Sequence, residues 1–223
     1  MKLGTAGAAL SFLILASAAC PALADVAAKS AALPAAPKSA SKADPGARPS
    51  FLPENFIVPV LAESAGFKLV PLAPSLAQKD FDAYMSSIEH LQTTFSRSPN
   101  WPHKGISSAD AIKDMENEEA RFKNRKSFAY AVLTPDGSRE RGCVYVSPSP
   151  VEGYDAVVRM WVTKADYDAG FDAELYQWVT RWVQTDWPFQ KVAYPGRSID
   201  WATWDPMVAA AKAGAVAPKR QQP

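Results

Sequence analysis

The sequence predicts an α/β sandwich: a mixed, mostly antiparallel sheet flanked by helices. Three observations carry that prediction. Short alternating or β-branched runs are interleaved with longer runs whose apolar residues recur every three or four positions. Pro135-Asp136-Gly137-Ser138 is a strong turn signal between two of the short runs, so those two form a hairpin. Finally, 223 residues with 48% hydrophobic content suit one domain plus tails, at roughly 100–200 residues per domain.

The first fifty residues stand apart. Lys2 is followed by an uncharged run from Ala6 to Ala19, and Ala22-Leu23-Ala24 offers a small-x-small cleavage site before Asp25. Residues 1–24 read as a secretory signal, which implies a periplasmic or secreted product with no transmembrane span in its mature form. The alternatives are a retained membrane anchor and a lipoprotein through Cys20, whose preceding Ser17-Ala18-Ala19 lacks the usual upstream Leu. Residues 25–50 are Ala, Pro, Ser and Lys without an aromatic side chain, a composition that cannot bury enough surface to fold, so a disordered tether is expected. Residues 51–205 are then the globular domain. Residues 206–223, Ala- and Lys-rich, are expected as a flexible C-terminal tail.

Each element has its own signal. Phe67–Leu72 alternates between Gly66 and Pro74 and reads as a strand. Lys79–Phe95 places Phe81, Tyr84, Met85, Ile88, Leu91 and Phe95 on one helical face. Ser107 or Ser108 caps a second helix whose other face is heavily charged from Glu116 to Arg125. Phe128–Leu133 and Gly142–Val146 are the hairpin strands, and Ala156–Thr163 is another strand. Phe171–Thr185 is a helix with Leu175, Trp178, Val179 and Trp182 inward, and Asp172 suits the positive end of its dipole. Lys191–Tyr194 is a short last strand before Pro195-Gly196.

Composition excludes several functions. Lys and Arg total 24 against 23 Asp and Glu, too balanced for a general nucleic-acid binder, which needs clustered cations. Removing residues 1–24 takes away Cys20 and leaves Cys143 as the sole thiol, so no intramolecular disulfide forms. Cys143 lies in an apolar strand and is expected to be buried and inert. The histidines, His90 and His103, lack the spacing of a zinc site, so no metal is expected. There is no phosphate-binding loop of Walker type and no dinucleotide fingerprint. Seven tryptophans are many for one small core; Trp201 and Trp204 either pack over a cleft or line a binding surface.

Several phrases resemble the GNAT superfamily of acyl-CoA-dependent N-acetyltransferases. They are FAYAVLTPDG from Phe128, GCVYV from Gly142, VRMWV from Val158 leading into a helix, WPF from Trp187 and YPGR from Tyr194. The resemblance covers Phe67–Arg197. It implies a GNAT-like fold and an acyltransferase acting on an amine or other small-molecule substrate, with acetyl-CoA or another acyl-CoA as co-substrate. It places Trp161, Val162 and Thr163 on the strand that binds the pantetheine arm, and Tyr194 where many members keep the acid that protonates the leaving thiolate. The pyrophosphate loop aligns with Tyr167–Asp172, where Gly170 matches the family pattern, Tyr167 replaces Gln or Arg, and Asp172 replaces a small residue. Asp166, Asp168 and Asp172 would there oppose an anion, with Lys164 the nearby cation; like charges a few ångströms apart cost on the order of 1–4 kcal/mol per pair. Two readings follow: an exported acyltransferase, or a non-catalytic ligand- or protein-binding module of the cell envelope derived from such an enzyme.

Overall fold

The computed structural model describes residues 50–216. The expected signal segment, Cys20, nearly all of the tether and residues 217–223 lie outside the described residues.

A six-stranded sheet forms the centre, with its strands in chain order: β1 (Ala62–Ser64), β2 (Phe67–Pro71), β3 (Phe128–Leu133), β4 (Glu140–Pro148), β5 (Ala156–Val162) and β6 (Val192–Ala193). Neighbours are antiparallel from β1 to β5, and β5 pairs with β6 in parallel. The mixed, mostly antiparallel sheet flanked by helices is the arrangement expected. All six residues of β3 are buried, as an apolar run covered on both faces requires. The β3–β4 turn falls at the expected Pro-Asp-Gly, with Asp136 Oδ1 accepting from Thr134 Oγ1 at 2.5 Å and from the Ser138 amide at 3.1 Å.

Alternate strand residues feed two cores. Tyr130, Val144, Val158, Met160 and Val162 meet Phe171, Leu175, Val179, Trp182 and Val183, the inner stripe of helix α5 (Phe171–Asp186). At about 1.5–3 kcal/mol per fully buried large apolar side chain, this stripe is what holds α5 to the sheet. The opposite face packs Ala129, Ala131, Cys143 and Trp161 against α1 (Ala77–Met85), α2 (Ile88–Thr94) and α3 (Ser108–Lys123). Ser107 caps α3 through a reciprocal box with Asp110.

Three elements depart from the sequence reading. The single helix expected over Lys79–Phe95 is broken at Ser86-Ser87, where Ser86 Oγ donates to the Ala83 carbonyl at 2.6 Å; serine hydroxyls compete with the helical ladder for backbone partners. Lys164–Asp168, which runs into the segment aligned with the pyrophosphate loop, is a short helix α4 capped by Thr163. Helix α6 (Trp201–Val216) carries residues 206–216 that were expected in the flexible tail. The Ala-rich composition that suggests a tail is also the best helix-forming composition, and Trp204, 5% exposed, anchors the helix against Val151 and Ala193. Among the described residues no helix is long and apolar enough to cross a membrane.

Candidate functional site

β5 and β6 pair only at Ala156–Val192 and Val157–Ala193. β6 then ends, and the chain leaves through Tyr194-Pro195-Gly196. The rest of β5, Val158–Val162, stays paired with β4 on one side and, among the described residues, has no strand on the other. This free edge is one wall of a cleft of about 290 Å³. Pro195, Gly196 and Arg197 face it, α2 contributes His90, Thr93 and Thr94, and Asp172 enters from the first turn of α5. Gly196 has φ 74°, and a Cβ there would lie 2.7 Å from Cε2 of Trp201; glycine lets the chain pass flat against that indole, which also lines the cleft.

Three arginines converge on the cleft against one carboxylate. Arg97 is held by both oxygens of Asp205 at 2.9 Å and lies 4.0 Å over the Trp201 ring. Arg197 makes a bidentate pair with Asp172. Arg159 donates to the Phe95 carbonyl and lies 4.3 Å over the Phe95 ring. Burial pushes its pKa down, with Arg97 adding to the effect, and among the described residues no carboxylate pairs with it. Burial, then Lys164, likewise lowers the pKa of His90, so its neutral form is favoured.

The expected crowd of carboxylates is corrected by their pairing. Asp166 points inward, 4% exposed, and accepts from Arg139 at 2.6 Å, Arg141 at 2.7 Å and Thr163 at 2.6 Å. Burial opposes its ionisation, but those bonds outweigh burial and bring its pKa to about 2. Asp168 pairs with Lys164 at 2.6 Å, and Asp172 with Arg197. Gly170, at φ 81°, begins α5 without a side-chain cap. The first-turn N–H groups of α5 therefore have no side-chain acceptor, and such a terminus favours an anion.

Of the other residues singled out from sequence, Trp161 and Val162 line the cleft. Thr163 instead caps α4, its Oγ1 accepting from the Asp166 amide at 3.2 Å. Trp161 is 2% exposed and donates its indole N–H to the Tyr145 hydroxyl at 3.3 Å. Tyr194 is 7% exposed and packs edge-on against Tyr176, its ring centre 5.7 Å away; burial, with Tyr176, pushes its phenol up to about 12. The cleft wall begins one residue later, at Pro195.

A second hollow, also of about 290 Å³, meets the cleft at Phe95 and Arg159. Its walls include Trp101, Tyr145 and Asp114, and burial raises the pKa of the Asp114 carboxyl. Sequence reasoning missed Arg159 and Asp114. A charged residue at an alternating position inside an apolar strand is the signal that Arg159 offered.

Cys143 is buried, as expected. Its thiol donates to Glu140 Oε1 at 3.1 Å and approaches Asp80 Oδ1 at 3.4 Å. Burial raises the pKa of all three groups, and their mutual proximity adds to the rise for Glu140 and Cys143.

Comparison with known proteins bears on the fold. No family model and no curated protein sequence matches the chain. Solved structures do. The ribosomal-protein-S5-alanine acetyltransferase from Vibrio fischeri matches with a TM-score of 0.51 at 13% identity, over 69% of this chain and 82% of that one. An acetyltransferase from Thermus thermophilus matches with a TM-score of 0.41 at 12% identity, over 54% and 71%. The Microcin C7 self immunity acetyltransferase MccE, solved with acetyl-CoA and AMP, matches with a TM-score of 0.41 at 14% identity, over 55% and 65%. Against a further acetyltransferase structure, 16% identical with a TM-score of 0.41, this chain spans 63% of the partner's length. The structural neighbours are acetyltransferases, and this chain shares the fold of the Vibrio fischeri enzyme, the GNAT-like fold expected from the sequence.

Proposed function

We propose that this chain is an acyltransferase that takes an acyl-CoA-type donor in the cleft and an amine in the adjoining hollow, and that it acts outside the cytoplasm after losing residues 1–24. The observation that carries the reading is the free edge of β5, set where three arginines and an uncapped helix terminus meet. These residues fit a diphosphate-bearing thioester. Arg97, Arg159 and Arg197 supply positive charge, the first turn of α5 supplies N–H donors, and the β5 edge offers backbone groups to an amide-rich arm.

The chemistry follows from this placement. N–H groups on the free edge of β5 polarise a thioester carbonyl and stabilise the oxyanion formed on attack. The nucleophile is a neutral amine held among Phe95, Trp101 and Tyr145. Asp114 lines the hollow, and the partial desolvation of its carboxyl raises its pKa towards that of a group able to take an amine proton. The leaving thiolate takes its proton from water in the cleft, because Tyr194, although protonated across the neutral range, lies behind the cleft wall. Export as a soluble product rests on the uncharged run and the Ala22-Leu23-Ala24 site, and an intact Met1 or an acylated Cys20 on the native protein would overturn that soluble form.

Calorimetric titration with acetyl-CoA tests the reading. Binding at a micromolar constant is expected, with Arg159→Met weakening it at least about tenfold, the cost of one charge-assisted contact. Wild-type silence in the calorimeter would favour the non-catalytic envelope module instead.

A further inference from the structure

Asp80, Glu140 and Cys143 form a buried group that the proposed transfer does not use. Asp80 comes from α1, and Glu140 and Cys143 from β4. Their exposures are 4%, 2% and 0%, and one donor atom from each lies within 4.8 Å of the others. Among the described residues no lysine, arginine or histidine forms an ion pair with any of them. Glu140 Oε2 is buried and meets no hydrogen-bond donor. Buried carboxylates are ordinarily paired with a cation or bound to a metal. Here two carboxylates and a thiol bring their donor atoms together, one Glu140 oxygen is left without a donor, and among the described residues no side-chain cation pairs with them.

We propose that Asp80, Glu140 and Cys143 bind one divalent transition-metal ion of the zinc class, joining α1 to β4. The donor set selects the metal. A thiolate disfavours magnesium and calcium, which take oxygen ligands, whereas zinc accepts sulfur and carboxylate oxygen together. Three protein ligands leave a fourth position in a tetrahedral site. Binding releases the thiol proton and any proton shared by the carboxyl groups, so three anionic donors face a dication. This revises the sequence expectation of no metal. Glu140-x-x-Cys143 alone is no recognisable pattern, and Asp80 lies sixty residues upstream.

The proposal is independent of the acyltransferase reading. The full chain, stripped of metal by a chelator, is titrated with Co²⁺ and then Zn²⁺. One Co²⁺ per chain is expected by native mass spectrometry, with a near-ultraviolet sulfur-to-cobalt charge-transfer band that Zn²⁺ abolishes. Zn²⁺ at 100 times its dissociation constant should raise the Tm by about 5–10 °C. Cys143→Ser, close in size, should lose the band, and Glu140→Gln should weaken uptake at least tenfold. A folded wild-type chain that takes up no stoichiometric Co²⁺ would overturn the proposal. So would a band that survives Cys143→Ser, because it would belong to Cys20.

Discussion

A buried carboxylate is costly unless cations reach it, and Asp166 is reached by two. Arg139 makes the shorter contact, but its side chain is 53% exposed and partly screened by water, whereas Arg141, at 17%, is the better shielded partner. Arg141 also stacks 3.3 Å over the Phe171 ring and donates to the Gly66 carbonyl, so Asp166 joins the β3–β4 hairpin, the β1–β2 turn and the start of α5. Asp166→Asn removes the charge but keeps the shape and leaves a half-buried guanidinium uncompensated. It should cost about 2–4 kcal/mol at neutral pH, below the upper range for a fully buried pair. The pH dependence has a definite sign. The folded pKa, about 2, lies below the unfolded value near 3.8. The contribution is therefore complete above pH ~4 and is lost as pH falls towards 2. Urea unfolding at pH 7 and pH 2.5 should show the wild type losing most of its advantage over the Asn variant; a gap that stays constant would contradict this account.

At the scale of elements, the break between α1 and α2 is a joint. Ser87 is 4% exposed, and its Oγ accepts from the backbone N–H of Lys164, the first residue of α4, at 2.8 Å. One hydroxyl thereby fixes α2, a wall of the cleft, to the segment that leaves β5. Ser87→Ala strands that amide and should cost about 1–3 kcal/mol, whereas Ser87→Thr keeps the acceptor and should cost less; chemical denaturation of the two variants checks the order. The break also marks how far the elements were legible. β3 and α5 could be read nearly to the residue, because a buried apolar run and a stripe at Phe171, Leu175, Val179 and Trp182 leave one period each. The joint could not, because the apolar stripe runs on from Tyr84 through Ile88 and Leu91 across the two serines. β1, with the sequence Ala-Glu-Ser, has no alternation to read and exists because β2 offers it an edge. The cleft was half legible. Trp161 and Val162 could be placed by likeness to a known strand, but Arg97, Arg159 and Arg197 meet across a hundred residues of chain. Asp80 sits on what reads as a helix's apolar face, and only the fold shows that β4 brings Glu140 and Cys143 to it.

Across the whole molecule, α6 closes the end of the sheet where β6 stops. Trp204 fills the space between Val151 and Ala193 and stacks edge-on with Tyr154 at 5.8 Å. Asp205 grips Arg97, and Trp201 covers Gly196 and lines the cleft. The helix is thus part of the domain and of the site, although Pro206 interrupts its hydrogen-bond ladder. Two truncations separate a helix that completes the fold from a dispensable tail. A chain ending at Val216 keeps every described contact and should unfold at the wild-type temperature. A chain ending at Asp200 loses Trp204, worth about 3–5 kcal/mol by analogy with core tryptophan truncations, and its Tm should fall by about 6–20 °C at roughly 2–4 °C per kcal/mol. It also frees Arg97 and opens the cleft beside Gly196, so acetyl-CoA affinity should fall even at temperatures where it remains folded. Scanning calorimetry and titration of both chains read the two effects separately. Equal melting temperatures for the two would return residues 201–216 to the status of a tail and remove α6 from the site.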